Sequence, residues 1–335
     1  MKDYYEMLQV HPGASDTVIH AAHKALMKIY HPDINPSFSN RATAINEAYA
    51  VLGDNIKRKQ YDEKRFANPK QIGDFILQSQ IAEGGFGITY IGKHVLTEGL
   101  TCIKHMSNIS PDDRAIMMRE TQVMWDLRHH SLPAVRNLIA LEDGSLALAM
   151  SYIEGRTIEK VVTAYHDNNF LLEPEICSWI IHRVLQALQY LHYNGVVHGD
   201  IKPQNIIVQD DKHAAYLVDF GLSVAKPDST NRPAGYTEVF APPEQVKGKP
   251  LLPQADFYSL GMTMIYMLNG GDATRTMRHE IPGKVPAPLS NFIKKLTKRN
   301  PLDRLDEKSS YIDEFAKIRT ESFGRATTGL IKLKV

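Results

Sequence analysis

Val197-His198-Gly199-Asp200-Ile201-Lys202-Pro203-Gln204-Asn205-Ile206-Ile207-Val208 decides the fold, because it sets a carboxylate, an ammonium and an amide between apolar flanks. Fourteen residues beyond Asn205 comes Asp219-Phe220-Gly221, preceded by the strand-like Ala215-Tyr216-Leu217-Val218. On the upstream side, Ile176, Ile180, Val184, Ala187, Leu188 and Leu191 form a helical stripe that ends at Asn194-Gly195, a helix terminus. The polar residues therefore lie on the connections between regular elements, where chemistry is commonly carried.

Further upstream the chain reads as strands: Phe75-Ile76-Leu77, Ile88-Thr89-Tyr90-Ile91 and Leu100-Thr101-Cys102-Ile103-Lys104. The turn Glu83-Gly84-Gly85-Phe86-Gly87 lies between extended segments. A glycine-rich turn that opened a helix would suggest dinucleotide binding, and Gly-x-x-x-x-Gly-Lys-Ser/Thr a P-loop; neither context is present. This turn reads as a hairpin lid whose glycines let the backbone approach anionic oxygens closely. Many hairpins carry two glycines, so the reading depends on partners. Lys104 ends a strand and can place its ammonium on the α- and β-phosphates of a nucleotide. Glu120, on a helix predicted over 113–127, can hold that lysine in an ion pair. Taken singly, each would be a surface charge.

Together, His198-x-Asp200-x-Lys202-x-x-Asn205 and Asp219-Phe220-Gly221 resemble the eukaryotic-type Ser/Thr protein kinases, over residues 74–318. Ala241-Pro242-Pro243-Glu244 is similar to the end of that family's activation segment. Asp256-Phe257-Tyr258-Ser259-Leu260-Gly261 is similar to the helix that buttresses its catalytic loop, and Arg304 to the partner of Glu244. The resemblance implies ATP and Mg2+ as cofactors and a protein hydroxyl as acceptor. In a loose transition state charge spreads over the transferred phosphoryl oxygens, so positioning and neutralisation carry the catalysis. Carboxylate and amide oxygens suit Mg2+, a hard cation. The resemblance implies that Asp219 and Asn205 hold the metal, Asp200 accepts or orients the substrate hydroxyl, and Lys202 steadies the transferring phosphate. It also implies that Thr237 hydrogen-bonds Asp200 and Lys202, a pairing that favours serine or threonine over tyrosine. Ile81, Gly84, Gly85, Gly87, Thr89, Cys102, Lys104, Glu120 and Met150 would cradle the nucleotide, Met150 standing before a hinge at Ser151-Tyr152-Ile153. His198, Phe220 and Met124 would stack as the apolar column of an assembled site.

Several positions depart from the family pattern. Ala82 replaces the first glycine of the lid, and Thr89 the usual valine over the adenine. Cys102 reads as a buried small residue rather than a reactive thiol. Gly199 stands where the family commonly has an arginine that binds an activation-loop phosphate, so activity is expected to need no such phosphate. Ser223, Ser229 and Thr230 are polar loop positions open to modification.

Near the start, Ile19, Ala22, Leu26 and Ile29 recur at helical spacing between Asp16 and Tyr30, with Ser15 as N-cap and Pro32 forbidding continuation. Ala42, Ile45, Ala48, Tyr49 and Leu52 repeat the pattern, which predicts an antiparallel helical hairpin with His31-Pro32-Asp33 at its tip. Asp3 to Val10, His31-Pro32-Asp33, Asn46 to Leu52 and Arg58-Lys59-Gln60-Tyr61-Asp62 together resemble a J-domain. The resemblance implies docking of a DnaK-type chaperone through His31, Pro32 and Asp33 and a basic helix face. That face keeps Lys24 and Lys28 but has His20, His23 and Ala25 where the family usually carries more charge or a tyrosine.

The 335 residues suit a small module plus a two-lobed body. The fold class is α+β: an all-α J-domain hairpin over 1–65, a linker over 66–73, a kinase domain with β-rich N-lobe and α-helical C-lobe over 74–318, and a tail over 319–335. The tail's Leu330-Ile331-Lys332-Leu333-Lys334-Val335 alternates as an edge strand or docking peptide would. Lys+Arg 39 against Asp+Glu 38 gives no signature of a nucleic-acid or membrane partner. Two distant cysteines, Cys102 and Cys177, argue against disulfides or zinc, and no apolar run approaches the ~20 residues that span a bilayer. A cytoplasmic protein is expected. The alternatives are a J-domain co-chaperone with a kinase-like scaffold, and a kinase acting on small molecules; Glu244 and Thr237 favour a polypeptide acceptor.

Overall fold

The computed structural model describes residues 4–10, 13–31, 39–67, 71–84, 87–106, 110–228, 230–306, 310–326 and 333. It falls into two compact units, Met1–Gln71 and Ile72–Val335.

The first unit is helical: α1 (Tyr4–Met7), α2 (Asp16–Tyr30), α3 (Ser39–Leu52) and α4 (Asn55–Ala67). Contacts between α2 and α3 run in opposite directions, His20 to Tyr49 and His23 to Asn46, which is the antiparallel hairpin the spacing predicts. Ile19, Leu26, Ile45, Ala48 and Leu52 form its core with Tyr5, Leu8 and Tyr61. Ile29 departs from its expected place: it is 56 % exposed, and Tyr30 packs against the core instead. Three turns of helix take about 10.8 residues, so the position that continues Ile19 is Tyr30. Ser15 occupies the N-cap with extended backbone, but its side chain makes no cap bond. His31 ends α2 at φ −63°, ψ 136°, the extended backbone that a following proline imposes.

The stretch read as a linker from 66 carries regular structure at both ends, since α4 runs to Ala67 and β1 is Gln71–Ile72. Helix α4 shows no apolar stripe because it is largely polar. It is anchored by Tyr61, by Arg58, which reaches Tyr5, Asp16 and the Ala14 carbonyl, and by Asp54, which accepts from the Ile56 and Lys57 amides.

In the second unit β1, β2 (Phe75–Gly84), β3 (Gly87–His94), β4 (Leu100–Met106), β5 (Val135–Ala140) and β6 (Leu146–Ser151) form a six-stranded sheet in the order β1-β2-β3-β4-β6-β5. Its one long helix is α5 (Pro111–Met124). That helix starts and stops earlier than expected, because Ser110 and Asp113 close a capping box with Pro111 at the first turn. The lobe that follows is mainly helical. It contains β7 (Arg156–Thr157), α6 (Ile158–Asp167), α7 (Pro174–Tyr193), β8 (Val196–Val197), β9 (Ile206–Gln209), β10 (Ala214–Leu217) and β11 (Val224–Ala225). After these come α8 (Pro243–Val246), α9 (Pro253–Leu268), α10 (Ala273–Met277), α11 (Ala287–Leu296) and α12 (Tyr311–Phe323). Helices α7 and α9 are the apolar centre, and the predicted stripe of α7 is buried throughout. Helix α12 continues past residue 318 and closes at Gly324; of the last six residues only Leu333 is described, its amide on Asp210 and its side chain in the core. No helix among the described residues is long and apolar enough to cross a membrane.

Candidate active site

Strand register gathers the first group of side chains. Thr89 lies opposite Lys104 across β3–β4, and Cys102 opposite Met150 across β4–β6. Opposed residues share a face, as do residues two apart, so all four point to one side of the sheet. A bulge in β2 between Gln80 and Ala82 leaves Ile81 as the extra residue and brings both Ile81 and Ala82 to the same cavity. That cavity, about 330 Å³, is lined by Ile81, Thr89, Cys102, Lys104, Glu120, Met150, Asn205 and Asp219 among others. Gly84 and Gly87 pair at the tip of the β2–β3 hairpin and are not among the lining residues; Gly85 lies outside the described residues. Gly87 has φ +102°, and a Cβ there would come within 2.3 Å of the His105 carbonyl oxygen, so the position accepts only glycine.

Lys104 is the electrostatic centre. Its Nζ lies 3.1 and 2.8 Å from the two carboxylate oxygens of Glu120 and 3.0 Å from Asp219 Oδ1. Burial works against the ammonium, but the two carboxylates outweigh it and hold its pKa above the ordinary lysine value. For Asp219, desolvation opposes ionisation, and Lys104 overcomes it, holding the carboxyl below the usual range. Burial raises Glu120, against the pull of Lys104, and its Oε1 also accepts from the Phe220 amide. Asp219 itself sits at φ +66°, a left-handed conformation rare for a residue with a side chain and typical of functional sites. Burial pushes the Cys102 thiol up to about 11, so it remains protonated at neutral pH.

A second chain of contacts joins the residues of the loop over 198–205. Asn205 Nδ2 donates to the Asp200 carbonyl and to Asp200 Oδ2, at 2.9 and 3.1 Å. Both amide hydrogens are thereby used, and Asn205 Oδ1 is the atom left to meet a cation. Lys202 Nζ lies 2.6 Å from Asp200 Oδ2 and donates to Thr237 Oγ1 at 3.0 Å, and Thr237 donates to Asp200 Oδ1 at 2.8 Å. The loop is pinned from below by Asp256, fully buried, which accepts from the His198 and Gly199 amides and contacts His192. His198 Nδ1 accepts from the Asp200 amide, so Nε2 carries the hydrogen given to the Val218 carbonyl; its ring lies 4.8 Å from Phe220. Phe220 and Met124 belong to one core cluster. Arg304 grips Glu244 through two guanidinium nitrogens, at 2.5 and 2.9 Å.

A protein kinase domain model matches residues 75–317, and a DnaJ domain model residues 3–62. The chain belongs to the protein kinase domain family. Serine/threonine-protein kinase F of Synechocystis sp. is 28 % identical over 289 residues, which cover 75 % of this chain and 57 % of that protein. Serine/threonine-protein kinase PrkC of Bacillus subtilis is 26 % identical over 257 residues, 70 % of this chain and 39 % of that protein. The chain thus spans about half the length of these curated relatives.

Within the kinase domain some lining residues escaped the sequence reading. Ile207 and Val218 reach the cavity, while Ile206 and Val208 are buried in the core. The alternation of a half-buried strand was the available signal. Ser223, expected as an open modification position, is buried and donates to the His198 carbonyl at 2.9 Å. It is part of the loop's anchorage; Thr230 is exposed, and Ser229 lies outside the described residues.

In the DnaJ domain His31 is exposed at the end of α2, and Pro32 and Asp33 lie outside the described residues. His20 Nδ1 lies 2.7 Å from the Tyr49 hydroxyl, and His23 Nε2 lies 2.8 Å from Asn46 Oδ1 with its ring stacked on Tyr49. Both histidines are thus engaged with α3, and Lys24 and Lys28 are the exposed cations of α2.

Proposed function

We propose that the chain is a Ser/Thr protein kinase that transfers the γ-phosphate of ATP to protein hydroxyls with magnesium, and that its DnaJ domain recruits a DnaK-type chaperone. The observation that carries the first part is Lys104 bridging Glu120 and Asp219 in the wall of a cavity also lined by Asn205, whose amide bonds Asp200. The cavity is apolar where a base would lie, between Ile81, Cys102 and Met150, and carries the Lys104 ammonium, set between Glu120 and Asp219, where phosphates would follow. The donor set fits magnesium: Asp219 and Asn205 offer oxygens, and no group of three or more His, Cys, Asp or Glu forms a closed cage among the described residues. Magnesium ordinarily takes one or two protein oxygens and completes its shell with phosphate and water. Bound magnesium supplies neutralisation of phosphate charge.

The remaining work falls to the chain. Asp200, fixed by Asn205, Lys202 and Thr237, orients an acceptor hydroxyl and takes its proton at the free face of the carboxylate. Lys202 sets positive charge beside the same acid, where the transferring group passes. The Thr237 hydroxyl, joined to both, shapes a site for a short serine or threonine side chain. Purified protein with labelled ATP and a generic protein acceptor tests this reading. Asp200→Asn is expected to lower turnover by roughly 10²–10⁴-fold, and equal labelling by the two proteins would refute it. For the DnaJ domain, His31→Gln is expected to abolish capture of a DnaK-type chaperone and stimulation of its ATP hydrolysis, with undiminished capture as the contrary result.

A further inference from the structure

The segment from Asp219 to Glu244 is tied to the catalytic loop in part by uncharged donors. Gln245, 2 % exposed, donates its Nε2 hydrogens to the Gly199 carbonyl and to the Gly235 carbonyl, at 2.9 Å each. Gly199 precedes Asp200, and Gly235 stands two residues before Thr237, whose hydroxyl bonds Asp200 and Lys202. One amide therefore clamps the residue beside the proposed base to the strand of chain that delivers its hydroxyl partner. The fit beneath the clamp is close: Gly199 has φ +78°, and a Cβ there would lie 2.8 Å from the Leu222 carbonyl oxygen and 2.7 Å from Leu251 Cδ2. Ser223, donating to the His198 carbonyl, secures the other end of the segment.

We infer that Gln245 is a positioning residue for phosphoryl transfer, which acts by holding residues 235–237 so that the Thr237 hydroxyl meets Asp200 and Lys202. The inference rests on the kinase reading above. Gln245 touches neither the cavity nor the acid, so its effect reaches the reaction through Thr237. Loss of its amide takes the donor from the buried Gly199 carbonyl and the half-buried Gly235 carbonyl, and a carboxylate in its place would set oxygen against oxygen.

The test uses the full chain as wild type, Gln245→Leu, Thr237→Ala and the double variant, with kcat, KM for ATP and for a protein acceptor, and melting measured for each. Gln245→Leu is expected to lower kcat about 3- to 10-fold, with KM for ATP changed by less than about threefold. The double variant is expected to be no slower than the slower single one, because both act through one contact. Wild-type kcat in Gln245→Leu, or losses that multiply in the double variant, would overturn the inference. Should Gln245→Leu fail to fold, Gln245→Glu decides: its kcat relative to wild type rises as pH falls from 8 to 6, because the protonated carboxyl regains a hydrogen to donate, and a flat ratio overturns the inference. A wild type without phosphotransfer would instead overturn the kinase reading, and this inference with it.

Discussion

The Thr237 hydroxyl does two jobs at once, accepting from Lys202 and donating to Asp200, which holds an acid and a cation 2.6 Å apart. Thr237→Ser keeps that hydroxyl and is expected to retain turnover within about threefold, whereas Thr237→Ala is expected to lose about tenfold, the cost of roughly one charge-assisted hydrogen bond. Equal kcat for both would show the contact to be incidental. Gly199 sets a second residue-scale test, since a side chain at its positive φ meets main-chain oxygen. Gly199→Ala is expected to cost about 1–2 kcal/mol from the left-handed backbone alone, before any clash, read as a lower midpoint in denaturant. At this scale the sequence was informative because phosphate chemistry requires particular atoms: Lys104, Glu120, Asp200, Asn205 and Asp219 were proposed by type and order, and the fold brings Lys104 to Glu120 and Asp219, and Asn205 to Asp200. Gln245 was not, because a neutral amide acting on two carbonyls leaves no charge pattern to read.

Helices were legible where they bury a stripe and illegible where other forces fix them. Helix α7 announced itself by period, while α4, with Tyr61 its one buried apolar anchor among the described side chains, depends on Arg58 and on the Asp54 cap. The Asp54 cap was the signal available in the sequence for that helix. Packing between α7 and α12 carries a pH dependence of its own. Arg319 donates to His182 Nδ1 at 3.3 Å, and burial, with Arg319 and Arg183 adding to it, pushes the imidazole down to about 4. The unfolded chain takes up this proton near pH 6.5, and the folded chain only near pH 4. Stability is therefore fully present above about 6.5 and is lost as pH falls toward 4. Thermal midpoints measured between pH 7 and 4.5 are expected to decline, and less steeply in His182→Gln; parallel curves would assign the decline to other groups.

Each unit has a core of its own. Among the described residues, the buried apolar residues of the first lie between Tyr5 and Tyr61, and those of the second lie between Ile72 and Leu333. The proposed catalytic groups, from Ile81 to Thr237, all belong to the second unit. A unit of this size buries enough surface to fold alone, while the first, at some 70 residues, is near the lower limit for an unaided core. Removal of residues 1–68 keeps β1, the edge of the six-stranded sheet, and breaks no cluster. Residues 69–335 are therefore expected to fold and to phosphorylate a generic acceptor with kcat/KM within about threefold of the full chain, as independent parts do, while losing all capture of a DnaK-type chaperone. A fall of a hundredfold or more in kcat/KM, with the thermal midpoint unchanged, would mean that the DnaJ domain contributes to the phosphotransfer site itself, and the division of labour argued from the separate cores would have to be abandoned.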